Sequence, residues 1–260
     1  MYPLKNKNII IVGGTSGIGL SAAKAFLKNG AQVVVVGRDD KHLEEAKKLL
    51  TSQAEVMAGD ATVEGTVSKA IELCLEKFGK LDGLYHVAGG SGRKMGDGPL
   101  HKLTLDGWDK TLALNLTSLM LSNKAAINQF MEQNSGGTIL NLGSVLGFSP
   151  SPQHFSTHGY AAAKSAIIGF SRSAAAYYAK DKIRINVLAP GLVETPMAER
   201  AATDETILSF IKKKQPLDGG RIGQPQDLDG IALYFMSDES RFTTGQMIAV
   251  DGGWCVSDAN

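Results

Sequence analysis

The chain has 260 residues, of which 43% are hydrophobic and 20% are charged. This balance is that of an ordinary globular protein with a sizeable core, and it excludes an intrinsically disordered chain. Lys and Arg total 27 against 26 for Asp and Glu, so no global field favours nucleic acid or an anionic membrane as a partner.

Short apolar runs alternate with amphipathic stretches along the whole chain. This alternation is typical of βαβ units with right-handed crossovers. We therefore predict an α/β protein of the Rossmann type, a single domain over residues 1–260 whose doubly wound, seven-stranded parallel sheet carries helices on both faces. The predicted strands are 8–12, 33–36, 54–58, 84–88, 138–142, 183–188 and 247–250, and the clearest predicted helices are 21–28, 66–78 and 108–131.

A glycine-rich turn, Gly13-Gly14-Thr15-Ser16-Gly17-Ile18-Gly19, follows the first predicted strand and precedes a helical pattern. Glycines at such a junction permit a tight turn and close approach of the backbone to a pyrophosphate, whose charge then lies at the helix N-terminus. The spacing differs from the commoner dinucleotide fingerprint. The position of the turn favours dinucleotide binding, and a glycine-rich turn without a ligand is the alternative.

The end of the second predicted strand bears on the choice of cofactor. Gly37 stands where an acidic residue would bind the ribose of NAD, and Arg38 follows it. A small residue and a planar cation favour the 2′-phosphate of NADP(H). The alternative is that Asp39 or Asp40 binds the ribose and Arg38 is a solvated charge.

After the third predicted strand comes Gly59-Asp60-Ala61. We expect Asp60 to meet the edge of the adenine ring. Taken alone, it is equally compatible with the first turn of a helix.

Tyr160 and Lys164 lie four residues apart at the start of a helical pattern, so they share one helix face. A neighbouring ammonium lowers the pKa of a phenol from its ordinary value of about 10, which makes tyrosine a usable proton shuttle. An exposed tyrosine and lysine on a helix surface are the commoner reading of this spacing taken alone.

Taken together, these motifs resemble the short-chain dehydrogenase/reductase family in its compact form, over essentially the whole chain. The resemblance also depends on Asn115, Ser144, the segment Pro190-Gly191-Leu192-Val193-Glu194-Thr195 and the terminal Val250-Asp251-Gly252-Gly253. It implies that Tyr160 exchanges a proton with the substrate oxygen and that Ser144 hydrogen-bonds the same oxygen. Lys164 would lower the Tyr160 pKa and bind the nicotinamide ribose, and Asn115 would hold a water chain from Lys164 to solvent.

The motifs and the resemblance together also predict a cofactor-binding set. Its members lie in the glycine turn, at the ends of later strands and on the Tyr160 helix. The set is Gly13, Thr15, Ser16, Gly17, Ile18, Gly19, Arg38, Asp60, Ala61, Ala88, Gly89, Tyr160, Lys164, Pro190, Gly191, Val193 and Thr195.

Two positions depart from the family pattern. Val12 stands where many members have threonine, and His86-Val87-Ala88-Gly89 replaces Asn-Asn-Ala-Gly. We expect cofactor contact at Ala88 and Gly89 to run through the backbone. His86 is expected to be a core histidine bonded to a main-chain group.

Two segments are expected to shape the substrate pocket. Residues 144–160 would form a wall, and residues 194–223, with prolines and glycines flanking a helical stretch, would form a lid. His154 and His158 lack accompanying carboxylates or cysteines at a metal-binding spacing, so we expect no metal.

The remaining expectations concern location and assembly. Two cysteines are too few for a disulfide framework, and we expect no signal peptide and no membrane span, which favours the cytoplasm. Cys74 should be core, whereas Trp254 and Cys255 would be exposed and able to contact a neighbouring subunit. The family resemblance implies a homotetramer, or else a dimer.

The predicted function is reversible, NADP(H)-dependent reduction of a ketone or aldehyde to an alcohol, with Tyr160 as the acid/base. Alternatives are reduction of an activated C=C bond, epimerisation or dehydration with the same cofactor, and a non-catalytic dinucleotide-binding regulator. A nucleic-acid-binding module is disfavoured by the neutral charge. The partner is a small carbonyl or alcohol whose identity the sequence leaves open.

Overall fold

The computed structural model describes residues 3–50 and 52–258. In this part of the chain, seven strands form one parallel sheet in the order β3-β2-β1-β4-β5-β6-β7. The predicted fold class is confirmed. The strands are β1 Asn8–Val12, β2 Gln32–Gly37, β3 Ala54–Ala58, β4 Gly83–His86, β5 Gly137–Leu142, β6 Ile183–Pro190 and β7 Met247–Val250.

Helices cover both faces of the sheet because alternate side chains of each central strand point in opposite directions. Ile9 and Ile11 of β1 belong to one apolar cluster, and Ile10 and Val12 belong to another on the opposite face. The helices are α1 Gly17–Lys28, α2 Asp40–Leu49, α3 Thr66–Phe78, α4 Leu105–Leu112, α5 Ser118–Glu132, α6 His158–Tyr178, α7 Glu199–Thr203, α8 Glu205–Lys214 and α9 Asp229–Met236.

The strand order reverses between β1 and β4. Strands that follow β1 in the chain run outward to β3 on one side, whereas β4 begins the other half of the sheet. Ligands of open α/β sheets bind outside the carboxyl ends of the strands at such a switch point. This crevice is therefore the place to look for the site.

Two predicted elements differ from those observed. β4 ends at His86, two residues early, because the amides of Val87 and Ala88 both donate to the carbonyl of Val12, at 2.8 and 2.9 Å, and the chain turns. The predicted helix 108–131 is interrupted between α4 and α5 by a π-helical turn, Ala113–Thr117. Such turns bulge the helix and frequently occur at functional sites.

The two cysteines and Trp254 have different environments. Cys74 is buried on α3, as predicted, Cys255 is exposed, and neither forms a disulfide. The prediction that Trp254 is exposed is wrong: its side chain is 1% exposed. Its indole Nε1 donates to the carbonyl of Ser149 at 3.2 Å, and its ring packs on Phe155 with centroids 5.8 Å apart.

No helix among residues 3–50 and 52–258 combines the length and apolar character needed to cross a bilayer.

Candidate active site

Asn115 lies in the π-helical turn and is completely buried. Its amide Nδ2 donates to the carbonyls of Gly90 at 2.8 Å and Thr111 at 2.9 Å, while its Oδ1 accepts from the Gly90 amide at 3.1 Å. The two hydrogen bonds between Asn115 and the Gly90 backbone hold the segment after β4 against α4 and α5. The position of Asn115 is therefore set at the carboxyl end of the central strand.

Lys164 projects from α6 towards the ends of β4 and β5 and is 3% exposed. Its Nζ donates to the carbonyl of Leu142 at 2.8 Å. A β-carbon built on Gly89 would lie 2.7 Å from Asn115 Oδ1 and 3.5 Å from Lys164 Nζ, so these three residues adjoin. Burial lowers the pKa of Lys164 to about 8.

Tyr160 is half-buried one turn before Lys164, whose Nζ lies 5.5 Å from the centre of the phenol ring. Burial raises the pKa of Tyr160 above its ordinary value, and a hydrogen bond with Ser144 acts in the opposite direction. Lys164 is not among the groups that shift this pKa in the free chain, and its expected effect on the phenol stays a prediction. Its ammonium donates to the Leu142 carbonyl, and the hydrogen bond with Ser144 is the contact that lowers the Tyr160 pKa here.

Ser144 follows β5 by two residues and is buried. Its Oγ accepts from the amide of Leu146 at 3.2 Å and begins a short 3₁₀ turn, Val145–Gly147. A β-carbon on Gly147 would lie 2.8 Å from the carbonyl carbon of Lys164. The glycine thus lets the backbone after Ser144 lie directly against α6, and Ser144 and Tyr160 meet.

Asp97, which the sequence interpretation missed, fixes the start of α6. Its buried carboxylate accepts from the backbone amides of Gly159 at 2.9 Å and Tyr160 at 2.8 Å. Thr157 at the N-cap position makes no side-chain cap bond. The helix that carries Tyr160 is therefore capped by a residue from the loop after β4, and no local pattern in the sequence marks that pairing.

A buried amide network joins the elements that carry these residues. Asn123 of α5 and Asn141 of β5 exchange hydrogen bonds of 2.9 and 3.0 Å, and Asn141 also donates to Ser171 of α6 at 3.0 Å. Buried polar groups that are fully paired rigidify a core. The network therefore fixes the spacing of α5, β5 and α6.

The glycine turn is closely packed on its surroundings. Gly13 has φ +83°, and a β-carbon on it would lie 2.7 Å from the amide nitrogen of Ala88, while one on Gly19 would overlap the carbonyl of Gly13. Ser16 precedes α1 without a side-chain cap bond. The N-terminus of α1 is thus open to an anion such as a pyrophosphate.

The segment after β6 is held over this turn. A β-carbon on Gly17 would lie 3.2 Å from Thr195 Cγ2. Gln215, a second residue that sequence interpretation missed, is buried, accepts from the Leu192 amide at 2.6 Å and donates to the Leu192 carbonyl at 3.3 Å. Thr195 is thereby brought against the glycine turn; for Pro190, Gly191 and Val193, which precede it in the same segment, cofactor contact stays a prediction.

The end of β2 brings Arg38 and Asp60 together, with 3.7 Å between the guanidinium and Asp60 Oδ2. The other Asp60 oxygen accepts hydrogen bonds from the backbone amide and the hydroxyl of Thr62, at 2.9 and 2.8 Å. The hydrogen bond from the backbone amide is the main reason that the Asp60 pKa is lowered. Asp60 does not begin a helix, because Gly65 precedes α3. Ala61, next to it, is buried.

The small size of Gly37 has a packing reason. A β-carbon there would overlap the side chain of Thr15, so the close packing of β2 on the glycine turn by itself requires glycine. Asp39 accepts from the amide of His42 at 3.0 Å and caps α2. That carboxylate is engaged, whereas Arg38 is largely exposed.

His86 is a core histidine, as expected. Its Nδ1 lies 3.0 Å from Ser122 Oγ, and it also bonds the backbone of Ala88. Burial, followed by the charge of Lys164, lowers the pKa of His86 to about 3. The ring is neutral and serves to pack α5 on the sheet.

The expected lid, residues 194–223, is a loop whose two ends are joined by backbone hydrogen bonds. The Glu194 amide donates to the Gly223 carbonyl at 2.8 Å, and the Gly223 amide donates to Leu192 at 3.0 Å. Between them lie α7 and α8. His154 packs on Phe210 of α8 with ring centroids 4.8 Å apart. Separately, no group of three or more potential metal-ligating side chains occurs in residues 3–50 and 52–258. Movement of this segment stays a prediction.

Comparison with known proteins places this site in a family. Residues 12–255 match the family model described as enoyl-(acyl carrier protein) reductase. A solved structure of a short-chain type dehydrogenase/reductase from Mycobacterium ulcerans superposes with a TM-score of 0.88 at 27% identity, covering 97% of this chain and 91% of that one. The chain belongs to the short-chain dehydrogenase/reductase family.

Relatives within this family are similar over nearly their whole length. 2-(S)-hydroxypropyl-CoM dehydrogenase 3 of Xanthobacter autotrophicus is 35% identical over 257 residues, 96% of this chain and 97% of that one. The NADP-dependent (R)-specific alcohol dehydrogenase of Lentilactobacillus kefiri is 34% identical over 255 residues, again 96% and 97%. This short-chain dehydrogenase/reductase is an oxidoreductase that acts on alcohol or carbonyl groups.

Proposed function

We propose that this enzyme reversibly reduces a ketone or aldehyde with NADP(H), and that Tyr160 exchanges the proton with the substrate oxygen. The observation that carries the proposal is the meeting of Asn115, Ser144, Tyr160 and Lys164 at the carboxyl ends of β4 and β5, beside the glycine turn. When bound, the nicotinamide cofactor supplies or accepts the hydride. The protein supplies orientation, proton transfer and electrostatics.

In the reductive direction, the hydroxyls of Ser144 and Tyr160 hydrogen-bond the substrate oxygen and orient the carbonyl. Tyr160 then gives its proton to that oxygen and becomes a phenolate. Lys164, cationic at neutral pH because its pKa is about 8, lies 5.5 Å from the ring and stabilises the negative charge. Asn115 keeps the adjoining backbone in place, and a water chain beside it would return the proton from solvent.

The cofactor site fits a dinucleotide because its cradle leaves no room for side chains at Gly13 and Gly19 and because the N-terminus of α1 is open. NADP(H) is favoured by Arg38, which is exposed at the end of β2, and by the engagement of Asp39 in capping α2. The relative from Lentilactobacillus kefiri is NADP-dependent by name.

The cofactor proposal is tested with Arg38→Gln. We expect the wild type to prefer NADPH over NADH in kcat/KM by at least about tenfold, since a bidentate charge-assisted pair contributes 1.4 kcal/mol or more. The variant should lose this preference because its kcat/KM for NADPH falls, while its kcat/KM for NADH stays unchanged. Lys48→Gln, at the other end of α2, is the matched control, and an NADH preference of the wild type would refute the assignment.

The catalytic proposal is tested with Tyr160→Phe. Carbonyl-dependent oxidation of NADPH should fall at least about a thousandfold if general acid catalysis is lost, whereas the dissociation constant of NADPH should change little. Tyr177→Phe is the control, because Tyr177 lies exposed on the same helix. Full turnover by Tyr160→Phe, with a substrate that the wild type accepts, would show that the mechanism is wrong.

A second candidate, reduction of an activated C=C bond, is favoured by the description of the matched family model. Product analysis with an α,β-unsaturated ketone separates the two. Carbonyl reduction yields the allylic alcohol, and enoyl reduction yields the saturated ketone.

For assembly and location, we propose a homotetramer of two-fold symmetry in the cytoplasm. Its support is the exposure of the large apolar side chains of Tyr177, Phe242 and Val256, together with the unpaired state of Cys74 and Cys255. Sedimentation equilibrium tests the tetramer. A monomer at micromolar concentration would refute it.

A further inference from the structure

The loop after β4 carries an arginine between two anchors to the catalytic residues. At one end Gly90 bonds with the side chain of Asn115, and at the other Asp97 accepts from the amide of Tyr160. Arg93 lies between these anchors, at the start of a 3₁₀ turn, Arg93–Met95, with its side chain exposed. Arg93 thus lies in an eight-residue stretch, 90–97, whose two ends are tied to Asn115 and to the Tyr160 backbone.

A second arginine, Arg200, comes from the expected lid. Arg200 of α7 is exposed, while its neighbour Ala201 packs in an apolar cluster with Val145, the residue after Ser144. The guanidinium of Arg200 lies 3.5 Å from the carbonyl of His154, in the segment between Ser144 and Tyr160. Arg200 is thus in contact with the segment that is expected to form a wall of the substrate pocket.

The two cations act on one another. Burial and then the charge of Arg200 lower the pKa of Arg93, and Asp97 opposes them. Among residues 3–50 and 52–258, no carboxylate lies within 4.0 Å of either guanidinium. Both Asp97 oxygens are occupied by backbone amides. Like charges that act on each other without an ion-paired carboxylate are unfavourable in the free protein and suit a bound anion.

We propose that Arg93 and Arg200 together bind an oxyanion, most simply a carboxylate, carried by the substrate whose carbonyl or alcohol lies at Tyr160. Guanidinium groups bind such anions through paired N–H donors in a fixed plane. The substrates would therefore be oxo acids and hydroxy acids rather than neutral ketones and alcohols. This assignment rests on the proposed carbonyl reduction at the same site.

The test compares acids with their own methyl esters, so that only the charge of the substrate changes. Pyruvate, acetoacetate and 4-oxopentanoate, each with its methyl ester, cover three distances between carbonyl and carboxylate. We expect at least one acid to exceed its ester about tenfold or more in kcat/KM. Arg93→Gln and Arg200→Gln should each remove most of this preference and leave the rate with the ester unchanged.

Two controls separate a local site from a general field. Arg241→Gln removes the same charge at the amino ends of the strands, near Gly136 and Lys182, which precede β5 and β6. This variant should keep the preference for the acid. Raising the salt concentration should reduce that preference in the wild type. Equal rates for acid and ester in all three pairs, or a preference that survives in both variants, would overturn the proposal.

The outcome for the proposed function can be distinguished from that of the anion site. If the esters are reduced and the acids are not preferred, carbonyl reduction stands and the anion site is wrong. If no ketone is reduced, calorimetric titration of the holoenzyme with succinate decides the matter. Binding that Arg93→Gln abolishes and Arg241→Gln retains supports the anion site, and no binding to the wild type refutes it.

Discussion

Removal of the Asp97 carboxylate should loosen the helix that carries Tyr160. Asp97→Ala deletes the acceptor of two backbone amides, those of Gly159 at 2.9 Å and Tyr160 at 2.8 Å, inside the protein. A hydrogen bond to a charged group contributes about 1.5–3 kcal/mol. A carboxylate at a helix N-terminus contributes about 0.3–1 kcal/mol more. Because the bonds share one carboxylate, we expect the free energy of unfolding to fall by about 3–5 kcal/mol.

A graded pair of variants and a matched control make this measurable. Asp97→Asn retains one acceptor oxygen of the same shape and should lose about half as much. Asp204 accepts from the amides of Thr206 and Ile207 and caps α8 at a partly exposed position. Asp204→Ala should therefore lose only about 1 kcal/mol. Urea unfolding at one fixed protomer concentration compares them, since assembly contributes to apparent stability.

The same variants connect stability to turnover. Misplacement of a reacting group by 1 Å can lower a rate by about a hundredfold, so Asp97→Ala should reduce kcat by at least about tenfold, with a smaller effect on NADPH binding. Asp204→Ala should leave kcat within about twofold. If Asp97→Ala matched Asp204→Ala in both unfolding and kcat, the carboxylate would not position Tyr160.

Three further variants test other parts of the structure. Lys164→Met should abolish turnover yet raise the free energy of unfolding by about 1–3 kcal/mol at pH 7, because burial lowers the Lys164 pKa from 10.5 to about 8 and so penalises the charged form. Between those pKa values the unfolded chain binds more protons than the folded chain, so wild-type stability rises with pH. The gain in stability of Lys164→Met over the wild type should therefore disappear near pH 10.5. A Lys164→Met variant that is less stable than the wild type at pH 7 contradicts this. Asn141→Ala removes both hydrogen bonds with Asn123 and leaves Asn123 Oδ1 without its donor in the core; it should reduce the unfolding free energy by about 2–4 kcal/mol in urea, and an unchanged midpoint would argue against the network. Gly19→Ala places a β-carbon on the Gly13 carbonyl and should weaken NADPH binding at least about tenfold in a fluorescence titration, whereas unaltered affinity would refute the tight cradle.

The parts of the site that sequence interpretation could reach are those marked by neighbours in the chain. The glycine turn is one continuous segment, and Tyr160 and Lys164 share a helix face because they are four residues apart. Ser144 and Asn115 carry no such local mark, and their selection depended on the family resemblance. The structure brings all four together, although it does not test their roles.

Other features depend on contacts between distant segments. Asp97 caps a helix that begins at His158, and Gln215 holds the backbone of Leu192. Trp254 looked like an exposed residue near the end of the chain and is buried, because the 149–155 segment and α8 fold over it. A pattern of one or two turns cannot report such pairings.

The sequence by itself determined the order and type of the elements of the sheet, because each buried strand needs a continuous apolar run and each covering helix needs an apolar stripe, and both are local properties. It also determined that Tyr160 and Lys164 share a helix face. Only the tertiary structure decided how they act in the free chain. Burial raises the pKa of Tyr160 and lowers that of Lys164, and the Leu142 carbonyl holds the Lys164 ammonium. Desolvation and hydrogen bonding depend on what surrounds a group in space, and these surroundings come from segments far apart in the chain.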